Sequence, residues 1–196
     1  MDGPFSIMWA SGGRPDVIVQ FAGYGPSWHF HFESTSLSPL TMTRNENRAW
    51  APKAGIILQP LPNAPEPAKT PAKRMAQMRT LAERFEITDG FHPVYVEDET
   101  ERHLLRLLPK PLYRYEPSGD LIDGALFGFV VATDPEALLL IEVYKTKEGT
   151  EWRYALKPMT VYVLTATLDG KQIWNSLDNR FRNWQRDDGC FLGPHQ

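Results

Sequence analysis

Ala125-Leu126-Phe127-Gly128-Phe129-Val130-Val131-Ala132 runs into a turn at Asp134-Pro135 and returns as Ala137-Leu138-Leu139-Leu140-Ile141-Glu142-Val143-Tyr144. The first run reads as an apolar strand. The return run is so continuously apolar that burial on both faces is expected. Glu151–Leu156 and Thr160–Thr167 follow with β-branched and aromatic residues that suit a pleated surface. Asp169-Gly170 then predicts a hairpin, because glycine accepts the positive φ of a tight primed turn, and Gln172-Ile173-Trp174 closes the meander.

The same order recurs upstream. Moving the second half back by 124 places Trp152 on Trp28, Leu164 on Leu40, Thr165 on Thr41, Thr167 on Thr43 and Trp174 on Trp50. Before that point the displacement falls to about 120, with Pro135 on Pro15 and Leu138-Leu139 near Val17-Ile18-Val19, and Asp123-Gly124 meets Asp2-Gly3. The polar, glycine-ended stretch Lys145–Gly149 is expected to hold the extra residues as a loop. The chain therefore reads as an internal repeat, residues 2–50 and 123–174, with weaker turn chemistry at Asn45-Glu46-Asn47 in the first copy.

Between the copies, the proline-dense linker 60–71 favours extended backbone. Thr70-Pro71 opens a helix, the threonine oxygen capping free amides and the proline sitting where its missing N–H costs nothing. Met75, Met78, Leu81, Ala82 and Phe85 recur at helical spacing, with Lys73, Arg74, Arg79 and Arg84 on other faces, so one amphipathic helix is expected over about 71–86. Glu97-Asp98-Glu99 with Glu101 reads as a solvated loop. The segment 104–115, interrupted by Pro109 and Pro111, reads as a broken or edge strand. The expected fold is α+β and mostly antiparallel: two pseudo-symmetric meanders packed as a sandwich or open barrel in a single domain, 1–196, with a C-terminal tail from 175 to 196.

At 196 residues the chain can bury a core without staples. A net charge of −3 gives no electrostatic reason to expect nucleic acid or an anionic membrane as partner. Cys190 stands alone, which excludes an intramolecular disulfide and any zinc site of several thiolates. Met1-Asp2-Gly3-Pro4-Phe5 lacks the pattern of a secretory signal, and no apolar run approaches a membrane span, so the chain as written is expected to be soluble and cytoplasmic.

Trp28-His29-Phe30-His31-Phe32-Glu33 carries the most chemistry. On a strand His29, His31 and Glu33 share one face, and histidines about 7 Å apart can grip one metal ion with Glu33 as an oxygen ligand. Against this, Trp28, Phe30 and Phe32 read as the core face with a wet polar side, and the second copy has Arg153, Ala155 and Lys157 at the matching places. The spacing also departs from the cupin pattern. No cofactor is required, and no residue acquires a catalytic role: Gly25-Pro26-Ser27-Trp28-His29 lacks the last glycine of a nucleophile elbow, and no phosphate-binding loop or His-Glu-x-x-His segment occurs. The four repeated tryptophans read as packing residues. In the tail Arg182 and Trp184 read as binding residues, facing a protein partner or a second protomer rather than nucleic acid, since Asp187 and Asp188 dilute the charge. A non-enzymatic binding or scaffold module is the first expectation, and a small-molecule-binding or metal-dependent enzyme with its site on the first copy the alternative.

Leu104–Tyr115 followed by Asp123-Gly124-Ala125-Leu126-Phe127 and Thr133-Asp134-Pro135-Glu136 resembles a family of conserved uncharacterised proteins of planctomycete-type bacteria. Gly13-Arg14-Pro15, Ser36-Leu37-Ser38, Trp50-Ala51-Pro52-Lys53 and the helix opening Pro71–Met78 are similar to the same family. The resemblance covers most of the chain and implies a bacterial protein, with no activity or site to carry over. It also implies a strand, and a signal segment, ahead of the first copy, so the natural start is expected upstream of Met1 and the protein would then be exported.

Overall fold

The computed structural model describes residues 5–24, 27–44, 47–90, 102–132, 134–160, 162–176 and 190–195, with the backbone alone at 5, 22–24, 27–29, 44, 47–49 and 190–195. Asp2-Gly3, the Asn45-Glu46 turn, the acidic stretch 97–101, Arg182 and Trp184 lie outside the described residues. In chain order come β1 (Phe5–Ser11), β2 (Arg14–Tyr24), β3 (Ser27–Ser34), β4 (Met42–Arg44), β5 (Asn47–Trp50) and β6 (Gln59–Pro60). Then follow α1 (Pro71–Ala82), β7 (Phe85–Asp89), β8 (His103–Leu104), β9 (Arg106–Leu107) and β10 (Tyr113–Tyr115). The rest is β11 (Leu121–Val130), β12 (Pro135–Thr146), β13 (Gly149–Pro158), β14 (Leu164–Leu168), β15 (Lys171–Asn175) and β16 (Cys190–His195). The fold is α+β and mostly antiparallel, with one helix among the described residues.

Read from sequence as one domain, the chain divides by its contacts into two compact units, Met1–Ile57 with Arg182–Gln196 and Leu58–Phe181. In the first, one sheet has the order β1-β2-β3-β16 and β4 pairs with β5. In the second, one sheet runs β10-β11-β12-β13-β6 with β9 also on β11, and another runs β15-β14-β7-β8. Its core gathers Phe127, Phe129, Leu139, Ile141, Val143 and Trp152 from the larger sheet against Met78, Leu81 and Ala82 of α1 and Ile87, Leu164 and Ala166 of the smaller one. From Ala137 to Val143 every residue is buried, as the continuous apolar run requires.

Three strand pairs of the first unit have pairs of corresponding register in the second under the displacements read from the sequence. Adding 120 to Trp9↔Val17 gives Phe129↔Ala137, and the β-bulge after Trp9 reappears after Phe129. With 120 on β2 and 124 on β3, Gly23↔Trp28 becomes Val143↔Trp152. With 124, Met42↔Trp50 becomes Ala166↔Trp174, again with a bulge immediately after the first residue. The four extra residues are not a loop. Tyr24↔Ser27 matches Tyr144↔Glu151, and the second hairpin then continues through Lys145↔Thr150 and Thr146↔Gly149, two added rungs that satisfy the backbone of the insertion.

Asp169 and Gly170 have φ of 51° and 77°, the primed turn expected there, and the Asp169 carboxylate accepts from Arg84 Nε at 3.0 Å and Nη2 at 2.5 Å. That contact lowers the Asp169 pKa and raises the Arg84 pKa, each through the shared hydrogen bonds first. The 104–115 segment is a broken edge strand, β9 and β10 both pairing with β11 on either side of the Pro109–Pro111 interruption.

The helix ends earlier than expected, at Ala82 rather than about 86. Phe85-Glu86-Ile87-Thr88-Asp89 alternates with period two, and its aromatic and β-branched residues pair along β14 as β7. Arg74 is also not on an outer face. It is buried, bonding to Asp123 and to the carbonyls of Ala68 and Lys69. The proline-dense segment lies strapped by donors that its own prolines lack: Trp152 Nε1 bonds Pro65 O at 2.8 Å, Arg84 Nη2 bonds Pro62 O at 2.8 Å and Gln77 Nε2 bonds Glu66 O at 2.9 Å.

Candidate functional site

The His31–Glu33 pair sits in the middle of the first sheet, on the central strand β3 between β2 and β16. Their shared face is not wet, as the sequence implied. His31 is 7 % exposed and Glu33 0 %, and His31 Nε2 lies 2.7 Å from Glu33 Oε1. The bond between imidazole and carboxylate lets both groups leave water, since each supplies the other's partner. Phe30 and Phe32, expected to be core, are half-buried. Phe32 stacks on Trp9 at 6.2 Å between ring centroids and meets Trp50 at 6.0 Å.

Pairing places Gln20 and Leu192 opposite His31, and Ile18 and Cys190 opposite Glu33. His29 occupies the next register position of the same strand face, opposite Ala22 and Pro194. The lone cysteine is thus brought in register beside the His31–Glu33 pair by the C-terminal strand, an adjacency of residues 157 positions apart that no local pattern announces. Arg14 is buried below the strand end, bonding Thr35 O at 2.7 Å and Pro15 O at 3.0 Å.

The second unit uses its buried charges as braces. Asp123 accepts from Arg74 Nε at 2.8 Å, from Arg114 Nε at 3.0 Å and Nη2 at 2.7 Å, and from the Gly124 amide at 3.0 Å. Hydrogen bonding to Asp123 raises the Arg114 pKa. Glu142 is fully buried and accepts from the hydroxyls of Tyr115 and Tyr144, both at 2.7 Å. At the places matching His29, His31 and Glu33 stand Arg153, which bonds Glu151 at 2.7 Å, Ala155 and the buried Lys157.

Sequence reading missed Glu136. Burial, with the charges of Asp134 and Asp89 adding to it, pushes its carboxyl up to about 7 against a hydrogen bond from Thr160 that lowers it. The folded chain therefore holds this proton at pH values where the unfolded chain has released it. The stability Glu136 contributes is full below about pH 4.5 and is lost as the pH rises through about 7. Glu136→Gln cannot ionise, so its melting temperature is expected to rise relative to wild type across that window. Paired thermal melts on either side of it check this, and a constant gap would refute the assignment.

Among the described residues no group of three or more His, Cys, Asp or Glu side chains is arranged to hold a metal ion, and no helix is long and apolar enough to cross a membrane. Fold and site together define a mostly antiparallel α+β protein whose buried charges tie strands and a helix to one another. No family model, curated protein or solved structure matches the chain.

Proposed function

We propose that the chain is a non-enzymatic binding or scaffold module that acts through protein–protein contacts and is built from two copies of one β unit. The observation that carries this reading is how each sheet is completed. β6 pairs with β13 through Pro60↔Arg153 and Gln59↔Tyr154, and β16 pairs with β3 through Pro194↔His29 and Gly193↔Phe30. With the displacement of 124 these are the same positions on the same edge. In both places a strand from a distant part of the chain is added, β6 following the first copy and β16 following the second. The short sequences agree as well, Gly55-Ile56-Ile57-Leu58-Gln59-Pro60 against Gly189-Cys190-Phe191-Leu192-Gly193-Pro194. A sheet that accepts a strand at its edge binds through main-chain hydrogen bonds, with side-chain pockets adding selectivity. A second protomer or another protein is the partner class, and the net charge of −3 speaks against nucleic acid.

A second reading, a metal-dependent site on the first unit, is favoured by the buried 2.7 Å contact of His31 with Glu33 beside His29 and Cys190 in register. Metal analysis of protein purified without chelator separates the two. The scaffold reading expects far less than one metal per chain and the same content after His31→Ala. One equivalent of metal that disappears in His31→Ala and in Glu33→Gln would replace it with the second reading. Cross-linking in the native cell, followed by reconstitution of the recovered protein with the purified chain, tests the partner class directly.

A further inference from the structure

We propose that two chains associate by exchanging the strand that follows each copy, β16 of one chain completing the β3 edge of another and β6 the β13 edge; the inference rests on reading the chain as two copies of one protein-binding unit. Within a single chain this exchange is already reciprocal. β6, which follows the first copy, pairs with β13 of the second, and β16, which follows the second, pairs with β3 of the first. The match extends one position further, since the Leu61 amide bonds Trp152 O at 2.9 Å where the first unit has His195↔Trp28. What fills both edges names the occupant: the tail strand of another copy.

The pattern shared by the two tails, Gly-x-x-Leu-x-Pro, has a physical reason at its two ends. The Gly55 amide bonds Ser36 O at 2.8 Å, and a Cβ on Gly55 would stand 2.1 Å from Ser34 O, so a glycine is what lets the strand leave past its own copy. Leu61 turns its amide toward β13, so by alternation Pro60 turns its nitrogen away. A proline there costs no ladder bond and stops a further strand from adding outside, and equal register puts Pro194 in the same place beside β3. Each edge therefore takes one strand and ends, which makes a closed pair and not an open array. A tail from the same chain and a tail from a second chain make the same hydrogen bonds. Effective concentration alone chooses between them, on the order of mM for a short tether.

Cross-linking between two full-length variants tests this. One carries His29→Cys and the other Pro194→Cys, residues that face each other across β3 and β16, and both carry Cys190→Ser so that each chain has a single thiol. The two are mixed in denaturant, refolded together at a concentration on the order of mM and oxidised. Disulfide-linked heterodimer is expected in several-fold excess over the two homodimers together, because only exchange brings these two positions into register. Heterodimer equal to the homodimers together, the amount that random collision gives, overturns the proposal. Should either variant not refold, Pro60→Cys with Arg153→Cys, the matching pair across β6 and β13, decides by the same ratio. Heterodimer at the random amount, from a metal-free chain that still binds another protein, would remove the exchange and leave the proposed function standing.

Discussion

Asp123→Ala is expected to destabilise the second unit by about 3–5 kcal/mol, because removing one partner from a buried ion cluster strands the charges that remain. Arg74 is buried and would keep only the carbonyls of Ala68 and Lys69, while Arg114 would keep Pro71 O. The Gly124 amide would lose its acceptor as well. The cluster also fixes geometry: Arg74 comes from α1, Arg114 from β10 and Asp123 from β11, so one carboxylate holds a helix and an edge strand to the sheet. Urea denaturation orders the variants. Asp123→Ala should lose most and Arg114→Ala less, since the Arg114 side chain is a third exposed and can be replaced by water. Replacing Arg74, Arg114 and Asp123 together by apolar residues of similar volume should cost less than Asp123→Ala alone, because no charge is then left buried. If Asp123→Ala cost no more than a surface substitution, the cluster would not be a brace.

Asp123 also marks where sequence reading stops. The β11-β12-β13 part of the meander, the Asp169-Gly170 turn, the Thr70-Pro71 helix start and the broken strand over 104–115 are local patterns, and local patterns are visible in a sequence, whereas the meander does not continue through β14, which pairs with β7 in the other sheet. An arginine on a helix reads as solvated, and only a carboxylate 49 positions away made Arg74 an inner residue. Phe85 satisfied helical spacing and strand alternation equally, and pairing with β14 settled it for the strand. The faces of β3 were misjudged for a related reason. Aromatic residues mark a core face only when something covers them, and in the first unit Trp9 packs on Phe32 yet stays half exposed, while the contact between His31 and Glu33 helps both to go inside. Glu136 escaped notice because its surroundings, Thr160, Asp134 and Asp89, come from three places in the chain.

Gly124→Ala should be nearly as damaging as Asp123→Ala, at about 3 kcal/mol or more, although it adds a single methyl group. A Cβ at this position would stand 2.2 Å from Tyr115 Cε2 and 2.7 Å from its Cζ, far inside contact distance. The two residues are cross-strand partners, and the Tyr115 ring lies over the glycine where a side chain would otherwise project. The ring cannot swing aside freely. It is buried, it stacks on Tyr113 at 6.0 Å between centroids, and its hydroxyl bonds Glu142. Relief of the clash therefore breaks the Tyr115–Glu142 bond and leaves a buried carboxylate with one fewer donor, which is what turns overpacking into an electrostatic penalty. Tyr115→Phe isolates the electrostatic part, since it removes the hydroxyl and keeps the ring. In the Gly124→Ala background, Tyr115→Ala should recover stability relative to Gly124→Ala alone, because it opens the space the new methyl needs. Chemical denaturation of the four chains closes the cycle, and purely additive losses would mean that the ring and the glycine are not packed as a pair.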